Sequence, residues 1–350
     1  MCNEGDVMLQ SNVVKVGIHK MGSFGTMRTA PSSTPSPCTM ASFNVVSGKK
    51  LGFIADFGRD GWNTGSPYAY SGDYFVPGSP EEGFITKWVE AGATSRTYLN
   101  KGLQNQSPAI QPQSIEILST GSGDNGKQSV LWQGTQDSIK LTALTEFDGK
   151  SLYFTTSLTV QNIGSSDVND FYYTRTVDPD QGQYHNSRYV TKNWVSAQPY
   201  LPSDPSGRSD PDTPSKCLVS SYAGGSGSTS YPELFGGLAA INSNCRVGIN
   251  PSGQIINKEP ALPWTSKRWE DFTEENAPIE DTGINLGFKF DKISPGATKN
   301  FKFAYVLSED QVDAALSKLD SVKISSPSSS ATGTVLFQIT LDSTAGDCDK

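Results

Sequence analysis

The chain has 350 residues, with 28 Lys and Arg against 36 Asp and Glu and a formal net charge of -8 at pH 7. That acidic balance, without any run of Lys or Arg, disfavours a nucleic-acid or anionic-membrane surface, which needs concentrated positive charge to meet phosphate. Charged residues make up 18% of the chain, below the roughly 25% of ordinary domains, and such a polar but weakly charged surface suits an extracellular protein.

The predicted elements are nearly all strands. Short ones are expected at Val13–Ile18, at Phe43–Phe57 with a break at Gly48, and at Phe84–Val89, Gln113–Leu118, Gln128–Trp132 and Ile139–Thr145. In Ser151–Gln161, Leu152, Phe154, Thr156, Leu158 and Val160 alternate with polar neighbours, the period that puts one face of a strand on a core. A turn at Gly164-Ser165-Ser166-Asp167 leads to a strand over Phe171–Val177. The Pro-, Ser-, Gly- and Asp-rich interval Gln198–Ser230 reads as surface loops interrupted by Lys216–Tyr222. Strand pattern resumes at Leu234–Ile241 and Arg246–Ile249. After the acidic stretch Trp269–Asp281 comes the hairpin of Ile284–Phe290 and Asn300–Leu307, turning at Ser294-Pro295-Gly296-Ala297.

One helix is expected after Ser308, which forms a capping box with Gln311, while Val312, Ala315, Leu316 and Leu319 make an apolar stripe. The tract Ser325-Ser326-Pro327-Ser328-Ser329-Ser330 is a tether, and beyond it Val335, Phe337, Ile339 and Leu341 alternate as a terminal strand. That strand needs a sheet edge, on a neighbouring subunit or, the favoured reading, at home. The fold class is therefore all-β: a large antiparallel β-sandwich with one short C-terminal helix and a tethered terminal strand. Residues 1–40 read as an N-terminal arm, 41–320 as the sandwich, and 321–350 as linker and strand.

Five cysteines lie far apart without the CxxC spacing of zinc sites, so disulfides are the better reading. Cys217 and Cys245 bracket a Gly/Ser-rich excursion and are expected to pair; Cys2 and Cys38 would tie down the arm. Cys348 is left over for a partner outside the chain. No apolar run approaches the roughly 20 residues that span a bilayer, and the first 30 residues lack the apolar region of a signal peptide, as a mature fragment would. Asn105-Gln106-Ser107 is a glycosylation sequon followed by Pro108.

Few motifs carry chemistry. Gly121-Ser122-Gly123-Asp124-Asn125-Gly126 matches the dinucleotide-loop spacing, but strand pattern follows it where a phosphate-binding helix would have to begin, so a hairpin turn is expected. Asp178-Pro179-Asp180-Gln181-Gly182 offers two carboxylates in a turn, which makes Asp178 and Asp180 candidates for calcium; the third acidic ligand and terminal Glu of an EF-hand are missing, and a structural turn is favoured. His185 is the best candidate for acid–base work, weighed against a plain loop residue, and His19 ends a strand beside Lys20. No Gly-x-Ser-x-Gly elbow is present.

Asp56, Asp60, Asp73, Glu81 and Glu82 crowd one segment with Trp62, Tyr68, Tyr70 and Tyr74, the combination of carboxylates and ring platforms that sugar chemistry uses. Its Gly and Pro content favours successive turns instead. Tyr172, Tyr173, Tyr184, Tyr189, Trp194 and Tyr200 could stack on sugars but more commonly fill a core. A cleft that gathers the Asp56–Glu82 and Asp178–His185 regions would favour a carbohydrate site using Trp62, Tyr74, Asp178, Asp180 and His185.

Gly72–Gly83, Arg175–Gln181, and Gly283–Phe290 through Asn300–Tyr305 together resemble a β-rich domain of large secreted surface and adhesin-like proteins, including calcium-associated ones. The resemblance implies an extracellular building or adhesion module with no catalytic residues to carry over; no cofactor is expected, with calcium at Asp178 and Asp180 the alternative. A two-layered sandwich enlarged toward the mutarotase-like type suits the length, by analogy of fold. The leading expectation is a non-catalytic assembly or adhesion domain of a surface structure or appendage filament, located outside the cell or on its surface. Its partners would be copies of itself or other extracellular proteins, joined through Val335, Phe337, Ile339, Leu341 and Cys348. The alternative is a carbohydrate-binding or carbohydrate-active sandwich whose partners are glycans.

Overall fold

Alternation along the chain becomes two large antiparallel sheets packed face to face. The structure, a computed structural model, describes residues 6–25, 51–59, 74–75, 82–90, 94–101, 109–181, 189–199, 215–225, 230–251, 259–265, 272–324 and 339–341. The strands are β1 (Val7–Gln10), β2 (Val14–Ile18), β3 (Phe53–Ala55), β4 (Glu82–Glu90), β5 (Arg96–Lys101), β6 (Gln111–Thr120), β7 (Gln128–Gln136), β8 (Ile139–Phe147), β9 (Tyr153–Asn162) and β10 (Val168–Val177). They continue as β11 (Thr191–Ala197), β12 (Lys216–Gly224), β13 (Ser230–Ile241), β14 (Cys245–Pro251), β15 (Ile279–Glu280), β16 (Thr282–Ile293), β17 (Thr298–Val306), β18 (Val322–Ile324) and β19 (Ile339–Leu341). A one-turn helix α1 (Leu262–Thr265) and the longer α2 (Val312–Ser321) complete the set.

The larger sheet has nine strands in the order β15-β11-β12-β13-β17-β9-β8-β7-β6, and the smaller has five, β14-β16-β10-β4-β5. Register carries the sequence pattern directly into the core. Phe154, Thr156 and Leu158 of β9 stand opposite Tyr305, Phe303 and Phe301 of β17, so the Phe154 and Tyr305 rings stack with centroids 5.0 Å apart. From the facing sheet Tyr173 meets Phe301 at 5.4 Å and Phe288 meets it at 4.2 Å. Such ring pairs add to the area they bury.

Nine strands offer more inner face than five can cover. Part of the remainder is covered by the third sheet, β1-β2-β3, which brings the N-terminal arm into the core: Val7, Leu9, Val14, Val16 and Phe53 are all buried. Phe24, just beyond β2, sets its ring against Phe154 and Tyr305. Cys217 of β12 and Cys245 of β14 form a disulfide that joins the nine-stranded sheet to the five-stranded one. On the outer face of the larger sheet, α2 lays Ala315, Leu316 and Leu319 on Trp194, Tyr222, Phe235, Ala304 and Val306.

Three sequence expectations resolve locally. The glycine-rich stretch between β6 and β7 is a hairpin turn, in which Gly123 has φ +76° and the Gly121 N–H donates to Lys127 O. The capping box is not formed: Ser308 makes no side-chain cap bond, and its hydroxyl instead donates to the Asp310 carboxylate, which also accepts from the Gln311 amide. The Asp310 carboxylate orients both side chains toward itself and away from the backbone amides they would cap, and a 3₁₀ turn at Glu309–Gln311 precedes α2. The terminal strand does not join the edge of a large sheet. Ile339–Leu341 pairs antiparallel with Val322–Ile324 in a separate two-stranded ladder, as loop closure favours the strand nearest in sequence. Val335, Phe337, Cys2, Cys38 and Cys348 lie outside the described residues.

Candidate functional site: a buried polar belt between the sheets

Where the inner-facing positions of β4 and β10 should be apolar, they carry a carboxylate and a guanidinium. Glu82 opens β4 opposite Val177, and Arg175 stands opposite Phe84 two pairs further in, on the same face. Arg175 Nε donates to Glu82 Oε1 at 2.5 Å and the Tyr305 hydroxyl donates to the same oxygen at 2.7 Å, while the Phe24 N–H donates to Oε2 at 2.5 Å. Burial pushes the Glu82 carboxyl above the ordinary carboxylate range, with Arg175, Tyr305 and the Phe24 amide opposing it. Burial also works against the Arg175 charge, but Glu82 and the neighbouring phenols outweigh it and the net shift is upward.

This centre grips the arm. Arg175 Nη1 donates to Gly22 O at 3.2 Å, and its guanidinium lies 4.3 Å from the centre of the Phe24 ring. Trp132 Nε1 donates to Lys20 O at 2.9 Å and Asn100 Nδ2 to Met21 O at 3.0 Å. Gly22 is required here, because its φ is +82° and a Cβ would come within 2.7 Å of the Trp132 ring. The Glu82–Arg175 pair therefore acts as a clamp that holds backbone.

A second polar group continues through Tyr74. Its hydroxyl lies 2.9 Å from both Phe235 O and Leu307 O, and its carbonyl accepts the Asp180 N–H at 2.5 Å. Gln181 Nε2 donates to Ser221 Oγ at 3.0 Å. Directly opposite Ser221 in the β11–β12 ladder stands Asn193, whose Nδ2 reaches Thr282 Oγ1 at 2.8 Å and Thr191 Oγ1 at 2.9 Å. A Cβ at position 236 would sit 3.3 Å from the Tyr74 ring and 3.5 Å from Gln181 Nε2, so Gly236 keeps this side of the belt uncrowded.

Asp180, Gln181, Thr191, Asn193, Ser221 and Thr282 are all buried. Both amides spend their N–H groups on protein, whereas Gln181 Oε1 and Asn193 Oδ1 reach no donor among the described residues. A buried acceptor left unmatched costs about 1–3 kcal/mol, so each of these oxygens keeps the capacity to accept one further donor. Hydroxyls that can both give and accept flank them at Ser221, Thr191 and Thr282.

The structure thus brings together the two segments singled out in the sequence, through Tyr74 and Asp180. Tyr74 itself is corrected: it is not an open ring platform but a core residue whose hydroxyl braces two strands, because the Tyr74 ring packs on Phe53. Asp178 is half-buried and Asp180 buried; among the described residues no three His, Cys, Asp or Glu side chains gather as a metal site would require. Trp62 and His185 lie outside the described residues. Of the aromatic cluster, Tyr173 is core, Trp194 lies under α2, Tyr172 packs edge-on to Trp264, and Tyr189 is exposed, while Tyr184 and Tyr200 lie outside the described residues. Sequence reading passed over Gln181, Asn193, Ser221 and Thr282 as site residues. The signal available was an amide at an inward position, Asn193 between Lys192 and Trp194.

No family model matches the chain, and no curated protein matches it. Among solved structures it is similar to the Slr1438 protein from Synechocystis, with 9% identity over 87% of this chain and 96% of that one and a TM-score of 0.36. It is also similar to a galactose mutarotase-like protein from Lactobacillus casei, with 9% identity over 86% and 99% of the two chains and a TM-score of 0.36. An alpha-galactosidase from Lactobacillus brevis gives 10% identity over 86% of this chain and 39% of that one, at a TM-score of 0.33. Likeness at this level transfers no residue role to this chain.

Proposed function

We propose that this protein binds a neutral polyhydroxylated ligand, a carbohydrate, at the belt formed by Asp180, Gln181, Asn193, Ser221 and Thr282. The observation that carries the reading is the pair of unmatched amide oxygens at Gln181 and Asn193, buried among hydroxyls. Acceptors of this kind are satisfied by ligand O–H donors, and the Asp180 carboxylate beside Gln181 disfavours an anion. A disulfide between the layers suits an oxidising, extracellular setting for such a binder. The test is calorimetric titration of the intact chain with a panel of neutral mono- and disaccharides, repeated on Asn193→Ala after a melting curve confirms its fold. Loss of one hydrogen-bonding group of about 1 kcal/mol weakens binding by about five- to tenfold. Absence of heat with every sugar at millimolar concentration removes the reading.

Assembly with copies of itself stands as a separate proposal. It rests on β18 and β19 pairing only with each other among the described residues, which leaves two backbone edges for another strand.

A further inference from the structure

The clamp described above leaves one donor unaccounted for. Arg175 Nε serves Glu82, and Nη1 serves Gly22 O and the Tyr173 hydroxyl at 3.4 Å, but among the described residues Nη2 reaches no acceptor although Arg175 is only 2% exposed. The guanidinium borders a small internal cavity whose other polar lining comes from Gly22, Thr145, Thr156 and Tyr173, with Phe24, Phe84 and Trp132 among its apolar walls. About 10 Å³ is open there to the centre of a water-sized sphere. That is room for about one water.

We propose that this cavity is a binding site for a single buried water held between Arg175 Nη2 and the threonine pair of β8 and β9. The size excludes larger ligands, and the lining supplies the two to four polar partners that an internal water needs. Thr145 Oγ1 and Thr156 Oγ1 are 3.0 Å apart, so their mutual bond uses one donor and one acceptor and leaves lone pairs on both oxygens. The water accepts from Arg175 Nη2 and donates to a threonine oxygen, a polar bridge from the five-stranded sheet to the nine-stranded one. Ile18, Gly22 and Phe24 of the N-terminal arm are among the residues that line the site.

A crystal structure of the intact chain at 1.8 Å or better is the direct test. A well-ordered water within 3.2 Å of Arg175 Nη2 and of Thr145 or Thr156 Oγ1 is the expected result, and a cavity without density, or with Nη2 turned to a protein carbonyl, overturns the proposal. Water magnetic relaxation dispersion gives a second reading that tolerates poor crystals. The intact protein should carry one more long-lived internal water than the Thr145→Val/Thr156→Val variant, and equal counts in two folded proteins count against the site.

Discussion

At the scale of single residues, the interior depends on charges that hold each other in place. Glu82 and Arg175 are each at most 2% exposed, and removing one partner of such a pair strands the other charge at a cost of about 3–5 kcal/mol. Glu82→Gln should lower unfolding stability by that amount in denaturant titration, while Glu82→Leu combined with Arg175→Met should recover most of it. A fully additive double variant would mean that the two do not act as a pair. His19 supplies a pH-dependent term. Its Nδ1 accepts the Met21 N–H at 3.2 Å, which requires the neutral ring, and burial lowers its pKa against the opposing pull of Asp6 and with help from Lys20. The unfolded chain takes up this proton near pH 6.5 and the folded chain only lower, so His19 contributes full stability above that value and loses it as pH falls through the folded pKa. Glu82, raised in the fold, works in the opposite sense, so the difference between wild type and His19→Gln isolates the effect. The gap between their urea midpoints should narrow from pH 7.5 to pH 5.5; an unchanged gap would show that His19 titrates alike in both states. The sequence placed His19 at a strand end but could not supply its partner, because Asp6 becomes a neighbour only when the arm turns back on itself.

At the scale of elements, strands with clean alternation were readable from residues alone. β9, β16 and β17 appear within a few residues of expectation, since apolar residues at every second position fit only a half-buried strand. β5 and β11 escaped notice because Arg96–Lys101 and Thr191–Ala197 carry buried Asn, Lys and Thr where the pattern would want Leu or Val. The polar belt is built from such positions, which is why the candidate site was far less visible than the fold. The disulfide was inferable from the loop it closes, though not that its ends lie in different layers. Replacing Cys217 and Cys245 with Ala should cost about 3–4 kcal/mol for their separation of 28 residues, read as a lower thermal midpoint with an unchanged β spectrum. A midpoint equal to wild type would mean the two sheets need no covalent tie.

At the scale of the whole molecule, a nine-stranded sheet faces a five-stranded one, and the N-terminal arm helps to fill the difference. The arm is held by backbone contacts to Asn100, Trp132, Arg175 and Glu82. At the belt, the Gln181 and Asn193 amide oxygens have no hydrogen-bond partner among the described residues. A sugar that binds there should change the side-chain amide signals of those two residues before any others. Titration of isotope-labelled protein with the saccharide panel, followed through assigned Asn and Gln side-chain NH2 resonances, reads this directly. Saturable shifts at Gln181 and Asn193, absent at exposed amides such as Gln113, are the predicted result; sugar-dependent shifts confined to exposed residues, or none at all, would contradict it.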